Sequence, residues 1–262
     1  MEASAVTAVF ERVEEKYLLT EAQLQAVQKK LAPYFTRDQY GVHTILSAYY
    51  DSADFALVRT SLAKPHYKEK LRLRSYGTPQ GDTTVYLEIK KKYEGIVYKR
   101  RAGLSLNEAR TFDAWGVLPA AQGTDAQIFA EIGWMRTRYA LRPRAVLCCE
   151  RTALFGSDDP ELRVTFDADM RWRAQALDLA NGSDGTPLRP GQYLMEVKVP
   201  GAYPLWLARI LSEEGLRPVG FSKYGTAYEE FMAPQAAARY SAETALNALA
   251  RSGAGAARAA MA

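Results

Sequence analysis

The sequence predicts an α+β fold: an antiparallel β-tunnel, a closed or nearly closed barrel with a basic lumen, covered by helices outside. Three observations carry that prediction. Strand-like runs alternate charged with apolar residues, the period-two pattern of a strand with two unlike faces. Lysine and arginine dominate the charged phase, and carboxylates are sparse there. Amphipathic helices between the runs need an apolar sheet face to cover. The 262 residues carry 34 Lys+Arg and 30 Asp+Glu, a formal net charge of +4. With 48% hydrophobic and 24% charged residues, the composition is globular and excludes a disordered tail, a collagen or a disulfide scaffold. A chain of this length folds without metal or disulfide staples.

The elements follow in order. Residues 12–19 form a strand, and Thr20 caps a helix with Leu24, Val27 and Leu31 at helical spacing and Pro33 near its end. A second strand covers His43–Asp51, and Asp54 opens a short helix through Leu62. Tyr67–Tyr76, Thr83–Lys92 and Gly95–Arg101 are strands, the first two joined by the turn 77–82 and the last two by a hairpin at Tyr93-Glu94-Gly95. Helices run from Ser105 to Trp115 and over Asp125–Leu141. Strands resume at Arg144–Phe155, Leu162–Arg173 and Gln192–Val199. Helices over Tyr203–Glu214 and Ser222–Phe231 complete a single domain, 1–233, and an Ala-rich tail, 234–262, is expected to be partly helical or disordered.

The charged faces are explicit. Arg12, Glu14, Lys16 and Leu18 share one, and Lys70, Arg72 and Arg74 another. Glu88, Lys90 and Lys92 fall together, as do Val97, Lys99 and Arg101. Arg163, Thr165, Asp167 and Asp169 oppose Leu162, Val164 and Phe166, while Leu194, Glu196 and Lys198 oppose Met195, Val197 and Val199. For one strand alone, a wet sheet face explains this pattern. Across six strands the cation excess does not fit a mixed surface. So many cations cannot sit in a dry interior, because each costs several kcal/mol unless paired. The lumen must hold water, and its natural guest is a polyanion bound by arginine and lysine. Few aromatics interleave with these cations and the net charge is small, so an inorganic phosphate chain or a nucleoside triphosphate ranks above nucleic acid. Tyr49, Tyr50 and Trp172 read as packing residues, and Arg12, Lys68, Lys91 and Arg100 as surface charges.

Other chemistries lack material. Two separated histidines, His43 and His66, supply neither a metal site nor a catalytic triad. No Walker loop and no dinucleotide fingerprint occurs. Cys148 and Cys149 are adjacent on a strand and point to opposite faces, so they read as small buried hydrophobes in a reducing compartment. Met1-Glu2-Ala3-Ser4 begins no secretory leader and no apolar run reaches 18 residues, so a cytoplasmic location is expected.

Eight short segments, in order from Arg12 to about Tyr228, resemble a known family. They are Arg12-Val-Glu-Glu-Lys16-Tyr17, Tyr49-Tyr50-Asp51-Ser52, Lys70-Leu-Arg72-Leu-Arg74-Ser-Tyr-Gly77, and Leu87-Glu88-Ile-Lys90 with Tyr98-Lys99-Arg100-Arg101. The rest are Glu150-Arg151-Thr-Ala-Leu-Phe155, Leu162-Arg163-Val-Thr165-Phe-Asp167, Leu194-Met-Glu196-Val-Lys198 and Phe221-Ser222-Lys223-Tyr224. Together they resemble the polyphosphate polymerase domain of the vacuolar transporter chaperone (VTC) family, within the CYTH-like triphosphate tunnel metalloenzymes. The resemblance implies that Arg72, Arg74, Lys90, Lys99, Arg151, Arg163 and Lys198 hold the reacting phosphates. It implies that Lys16, Arg101 and Lys223 bind substrate, and that Glu196 is the main ligand for Mn²⁺ or Mg²⁺. Glu88, Glu14 and Asp167 are the weaker candidates for metal or for orienting the cations. The expected reaction moves the ATP γ-phosphoryl group to a growing inorganic polyphosphate chain and releases ADP, with no nucleic-acid partner. The sequence shows no phosphate-sensing domain and no membrane helices, which fits a bacterial stand-alone form.

Two alternatives remain at this level. One is a tunnel triphosphatase, whose first strand typically reads Glu-x-Glu-x-Lys; here it reads Arg12-x-Glu14-x-Lys16, one acid fewer. The other is a non-catalytic polyphosphate-binding module, which would keep the cations without the metal glutamate.

Overall fold

The structure, a computed structural model, describes residues 12–235. Residues 1–4 and most of the Ala-rich tail considered above lie outside the described residues. Nine strands form one sheet: β1 (Arg12–Leu19), β2 (Phe35–Asp51), β3 (Tyr67–Tyr76), β4 (Thr84–Tyr93), β5 (Ile96–Ser105), β6 (Arg142–Gly156), β7 (Arg163–Arg173), β8 (Thr186–Pro187) and β9 (Tyr193–Pro200). Their order is β1-β9-β7-β6-β2-β3-β4-β5, every pairing is antiparallel, and β8 adds to β7. The sheet curls until its edge strands approach. Hydrogen bonds do not close it between β1 and β5, but Lys90 on β4 reaches Glu14 on β1 at 3.9 Å.

Local signals explain the elements. α1 (Glu21–Leu31) starts at a capping box in which Thr20 and Gln23 satisfy each other's backbone N–H groups, and α3 (Leu106–Trp115) repeats the device with Ser105 and Glu108. The β4–β5 hairpin turns on Glu94 and Gly95, both at positive φ (46° and 89°), the geometry a two-residue primed turn requires. Gly116 ends α3 at φ 77°, in the left-handed region where a side chain would be strained, and a Cβ there would also displace the Arg136 guanidinium.

β2 begins at Phe35, eight residues before the expected His43, and bulges against β6 between Arg37 and Val42. The bulge breaks the alternation there, which is why that stretch carries no strand signature. The helix expected over Asp125–Leu141 runs as α4 (Gly123–Arg138), and that over Tyr203–Glu214 as α5 (Leu205–Glu213). The one expected from Ser222 is α6 (Lys223–Ala227) followed by a π-helical turn at Tyr228–Met232.

The apolar faces point outward, under the helices. Leu71, Leu73, Leu87, Ile89 and Leu104 pack on Phe112 of α3 and on Ile132 and Met135 of α4. Val164, Phe166, Met195 and Val197 pack on Val27 and Leu31 of α1 and on Leu207 and Ile210 of α5. At about 25 cal/mol per Å² of apolar surface, each fully buried leucine or phenylalanine contributes about 2 kcal/mol, so this outer core fixes which face turns inward. A third cluster lies within: Ile45, Leu147, Cys149 and Leu194 meet Tyr224, Ala227 and Met232, which seats α6 at one end of the lumen. Gly225 allows that approach, since a Cβ there would lie 3.0 Å from Leu62 of α2 (Ala56–Leu62). No described helix is long and apolar enough to cross a membrane.

Candidate active site

The inward faces of β1–β7 and β9, with the start of α6, enclose a cavity of about 570 Å³. Thirteen of the fourteen residues expected at the site line it: Glu14, Lys16, Arg72, Arg74, Glu88, Lys90, Lys99, Arg101, Arg151, Arg163, Glu196, Lys198 and Lys223; the fourteenth, Asp167, is fully buried and does not. They come from seven strands and one helix, and the register puts them side by side. Lys16 pairs with Glu196, Glu14 with Lys198, and Lys198 with Arg163. Arg72 pairs with Glu88, Glu88 with Arg101, and Lys90 with Lys99.

The lumen acids differ in what already occupies them. Glu88 accepts a hydrogen bond from Arg72 Nε at 2.7 Å, with Arg74 at 3.7 Å. Glu14 accepts one from Lys16 Nζ at 2.6 Å. Asp167 is fully buried: Arg151 grips both its oxygens at 2.6 and 2.7 Å, and Lys223 also donates to it. Asp167 therefore orients cations and has no oxygen left for a metal. Glu196 contrasts with all three, because its ion pairs are long, 3.9 Å to Lys16 and 3.7 Å to Lys198.

Electrostatics keep these carboxylates ionised. Burial pushes Glu14 up, but the Lys90 and Lys16 charges outweigh it and bring the carboxyl down to about 2. Burial also opposes ionisation of Glu196, yet Lys16, Lys223, Arg151 and Lys198 hold it well below the carboxylate range. Two lysines lack such partners. Burial, reinforced by Lys90 and Lys198, lowers Lys99 to about 8, and burial likewise lowers Lys70 to about 8. Burial raises Tyr49, but Arg72, Lys70 and Arg74 overcome it and bring the phenol down to about 8. The cavity is thus over-supplied with positive charge, and an anion inside it relieves the excess.

A pH dependence follows. A phosphate chain in the lumen raises the pKa of Lys70 and Lys99, so binding takes up protons. The gain is fully present below pH 8 and is lost as the pH rises past it. Long-chain polyphosphate, whose interior phosphates stay singly ionised throughout, is expected to bind roughly tenfold more weakly at pH 9 than at pH 7 for each lysine so coupled. Isothermal titration at the two pH values measures this, and equal affinities would remove both lysines from the anion site.

A divalent cation fits this donor set. Glu196 presents an ionised carboxylate, a hard oxygen donor, to the cavity, with Glu14 close enough to feel its charge. No cluster of three or more metal-ligating side chains occurs among the described residues. Mg²⁺ or Mn²⁺ here would be held by one or two carboxylates and by the phosphates of a substrate.

Several lining residues were not singled out by the sequence argument. Lys70 shares the face of Arg72 and Arg74, and its Nζ donates to Ser222 Oγ at 3.1 Å. Tyr49 packs as expected, its ring 4.7 Å from that of Tyr224, but its hydroxyl also accepts from Arg72 at 3.1 Å. Ser47, Tyr76 and Ser222 line the cavity too. Alternation carried the signal for Lys70 and Tyr76, in phase with Arg72 and Arg74, while Ser47 and Tyr49 join the lumen through their pairing with Arg74 and Arg72. Tyr50 and Trp172 are buried and hold as packing residues, while Arg100, expected at the surface, also lines the cavity. Lys68 bonds the Ser61 carbonyl, and Lys91 and Arg100 both pair with Glu131 on α4. Cys148 and Cys149 are free and buried on opposite faces, and burial pushes their thiols up to about 11 and about 12.

A solved structure shares the fold. A candidate adenylate cyclase from Bacillus halodurans superposes with a TM-score of 0.51 at 13% identity, covering 80% of this chain and 93% of its own. A candidate adenylyl cyclase from Hippeastrum, for which a dominant triphosphatase activity is described, gives a TM-score of 0.48 at 18% identity, over 81% and 93% of the two chains. No curated protein matches in sequence. The model of the VTC domain matches residues 11–232, which span all nine strands and every residue of the cavity, and the chain belongs to that family.

Proposed function

We infer that this chain is a tunnel-type phosphate-handling enzyme that transfers the γ-phosphoryl group of ATP to the end of an inorganic polyphosphate chain and releases ADP. The observation that carries the reading is the charge of the enclosed cavity: Lys and Arg outnumber carboxylates severalfold on its wall, in a chain whose net charge is only +4. Family membership and the tunnel fold support it.

Phosphoryl transfer asks for positioning and charge neutralisation more than for covalent chemistry. A terminal oxygen of the acceptor chain attacks the γ-phosphorus, a new P–O bond forms, and the bond to the β–γ bridging oxygen breaks. Charge then passes to ADP. The acceptor oxygen is already anionic, so no general base is needed, which agrees with a wall where no histidine joins the cations. Arg72 and Arg74, fixed by Glu88 and Ser47, neutralise the β- and γ-phosphates with Lys90 and Lys99. Arg151 and Lys223, held by Asp167, and Arg163 and Lys198 near the mouth keep the neighbouring phosphates in line. Lys16 and Arg101 complete the substrate contacts. Glu196, with Glu14 nearby and Glu88 committed to Arg72, would hold a divalent cation, which would supply charge neutralisation to the phosphates.

The test is a product analysis. Purified protein incubated with ATP and Mn²⁺ is expected to yield ADP and a ladder of polyphosphate on a gel. ADP and free phosphate with no polyphosphate would replace this reading with a triphosphatase. Tight polyphosphate binding without turnover would leave a binding module.

A further inference from the structure

One end of the lumen carries α6, and the other ends in a cluster of rings. Tyr76 continues the inward face of Lys70, Arg72 and Arg74 on β3, and Tyr86 continues that of Glu88 and Lys90 on β4. Their ring centroids lie 6.1 Å apart at 75°. His43, in phase with Ser47 and Tyr49 on β2, comes within 6.1 Å of Tyr76. Tyr40, thrown out by the β2 bulge, stands 6.4 Å from His43. The Arg101 guanidinium lies 4.8 Å from the Tyr86 ring centroid.

Core packing does not account for this cluster. Tyr40 is 69% exposed and Tyr76 48% exposed, and neither belongs to an apolar cluster. His43 Nδ1 is buried and has no hydrogen-bond partner, which leaves a polar atom unsatisfied beside the rings. Isolated exposed tyrosines at strand ends need no explanation. Rings from three strands, at the rim of a cavity lined with phosphate-binding chemistry, do.

We propose that this rim binds the base of a nucleoside triphosphate whose phosphates lie in the lumen, with Tyr76 and Tyr86 as the stacking platform. The proposal rests on the reading of the lumen as a phosphate site. The spacing suits it: Tyr76 lies four residues beyond Arg72, about 13 Å along the strand, the reach of an extended nucleotide from an inner phosphate to its base. Aromatic faces hold any base, so the rim selects nucleotides over bare phosphate chains without choosing strongly among bases. A wall of cations alone prefers whichever ligand carries more charge. The rim adds what lets ATP compete with inorganic tripolyphosphate.

The test compares the affinities of ATP and inorganic tripolyphosphate, by calorimetry at one pH and salt concentration, in the wild type and in rim variants. In the double variant Tyr76→Leu/Tyr86→Leu the ratio of ATP to tripolyphosphate affinity is expected to fall about fivefold or more, and the ratio cancels any change that Arg101, resting on Tyr86, passes to both ligands. Tyr76→Phe keeps the ring and is expected to keep the ratio. Both rings are at the surface end of their strands, and melting curves check that the variants fold; if the double variant does not fold, Tyr76→Leu alone carries the same comparison. An unchanged ratio in a folded Leu variant overturns the rim assignment and leaves the phosphate site standing. A wild type that binds no tripolyphosphate overturns the phosphate site, and the rim with it.

Discussion

Glu196→Gln is expected to cut turnover at least about a hundredfold while the protein still folds and still binds tripolyphosphate without metal. The carboxylate sits between Lys16 and Lys198 at 3.9 and 3.7 Å, too far for either to claim its lone pairs. Glutamine preserves the shape and a polar oxygen, so the strand register Lys16–Glu196 and Thr165–Glu196 has no reason to shift. What disappears is one negative charge and the hard anionic ligand. Loss of the charge makes the lumen more positive, so metal-free anion binding is expected to hold or tighten. Loss of the ligand removes the cation's anchor, so the deficit falls on kcat. Binding and chemistry therefore move in opposite directions, which a general loss of structure cannot reproduce. Steady-state assays across a Mn²⁺ titration, with tripolyphosphate binding in chelator, measure both. Wild-type turnover with wild-type metal dependence would remove Glu196 from the site.

The fold and much of the cavity wall were legible in the sequence because both rest on one short-range rule. Alternation decides which residues face inward, and helices covering the apolar phase decide that the charged phase must be the lumen. That is why Lys16 on β1 and Lys198 on β9 could be placed on one wall from strands far apart in the chain. Three things were less legible, each for a physical reason. The first half of β2 carries a bulge, and a bulge erases the period that announces a strand. The division of labour among the acids depends on cross-strand neighbours: Glu88 meets Arg72 and Asp167 meets Arg151 only through registers that no local pattern encodes. The rings at the mouth were in phase with the cations all along. Tyrosine at a strand end has an ordinary packing meaning until its neighbours are known to be Tyr86, His43 and an open cavity.

Asp167→Asn is expected to be the most destabilising single change in the lumen. Asp167 is fully buried and holds two cations at once, Arg151 through both guanidinium bonds and Lys223 through its ammonium. Burial opposes its ionisation, but Lys223 and Arg151 together keep its pKa below the ordinary aspartate value. A depressed carboxylate contributes stability above its unfolded pKa near 4 and loses it as the pH falls through the lower folded value. Asparagine mimics that loss at neutral pH and leaves two buried cations without their counter-charge. Breaking such a network typically costs about 3–5 kcal/mol, which for a chain of this size lowers Tm by roughly 10 °C. The same geometry makes a second outcome specific. If Arg151 and Lys223 face the phosphate site, a bound polyanion can stand in for the missing carboxylate. Tripolyphosphate is then expected to raise the Tm of the variant by more than it raises that of the wild type, since a ligand that binds only the folded state stabilises it in proportion to its occupancy and affinity. An unchanged Tm would show that the Asp167 network adds nothing to stability. A large loss that tripolyphosphate does not repair would place the two cations in the scaffold and outside the anion site.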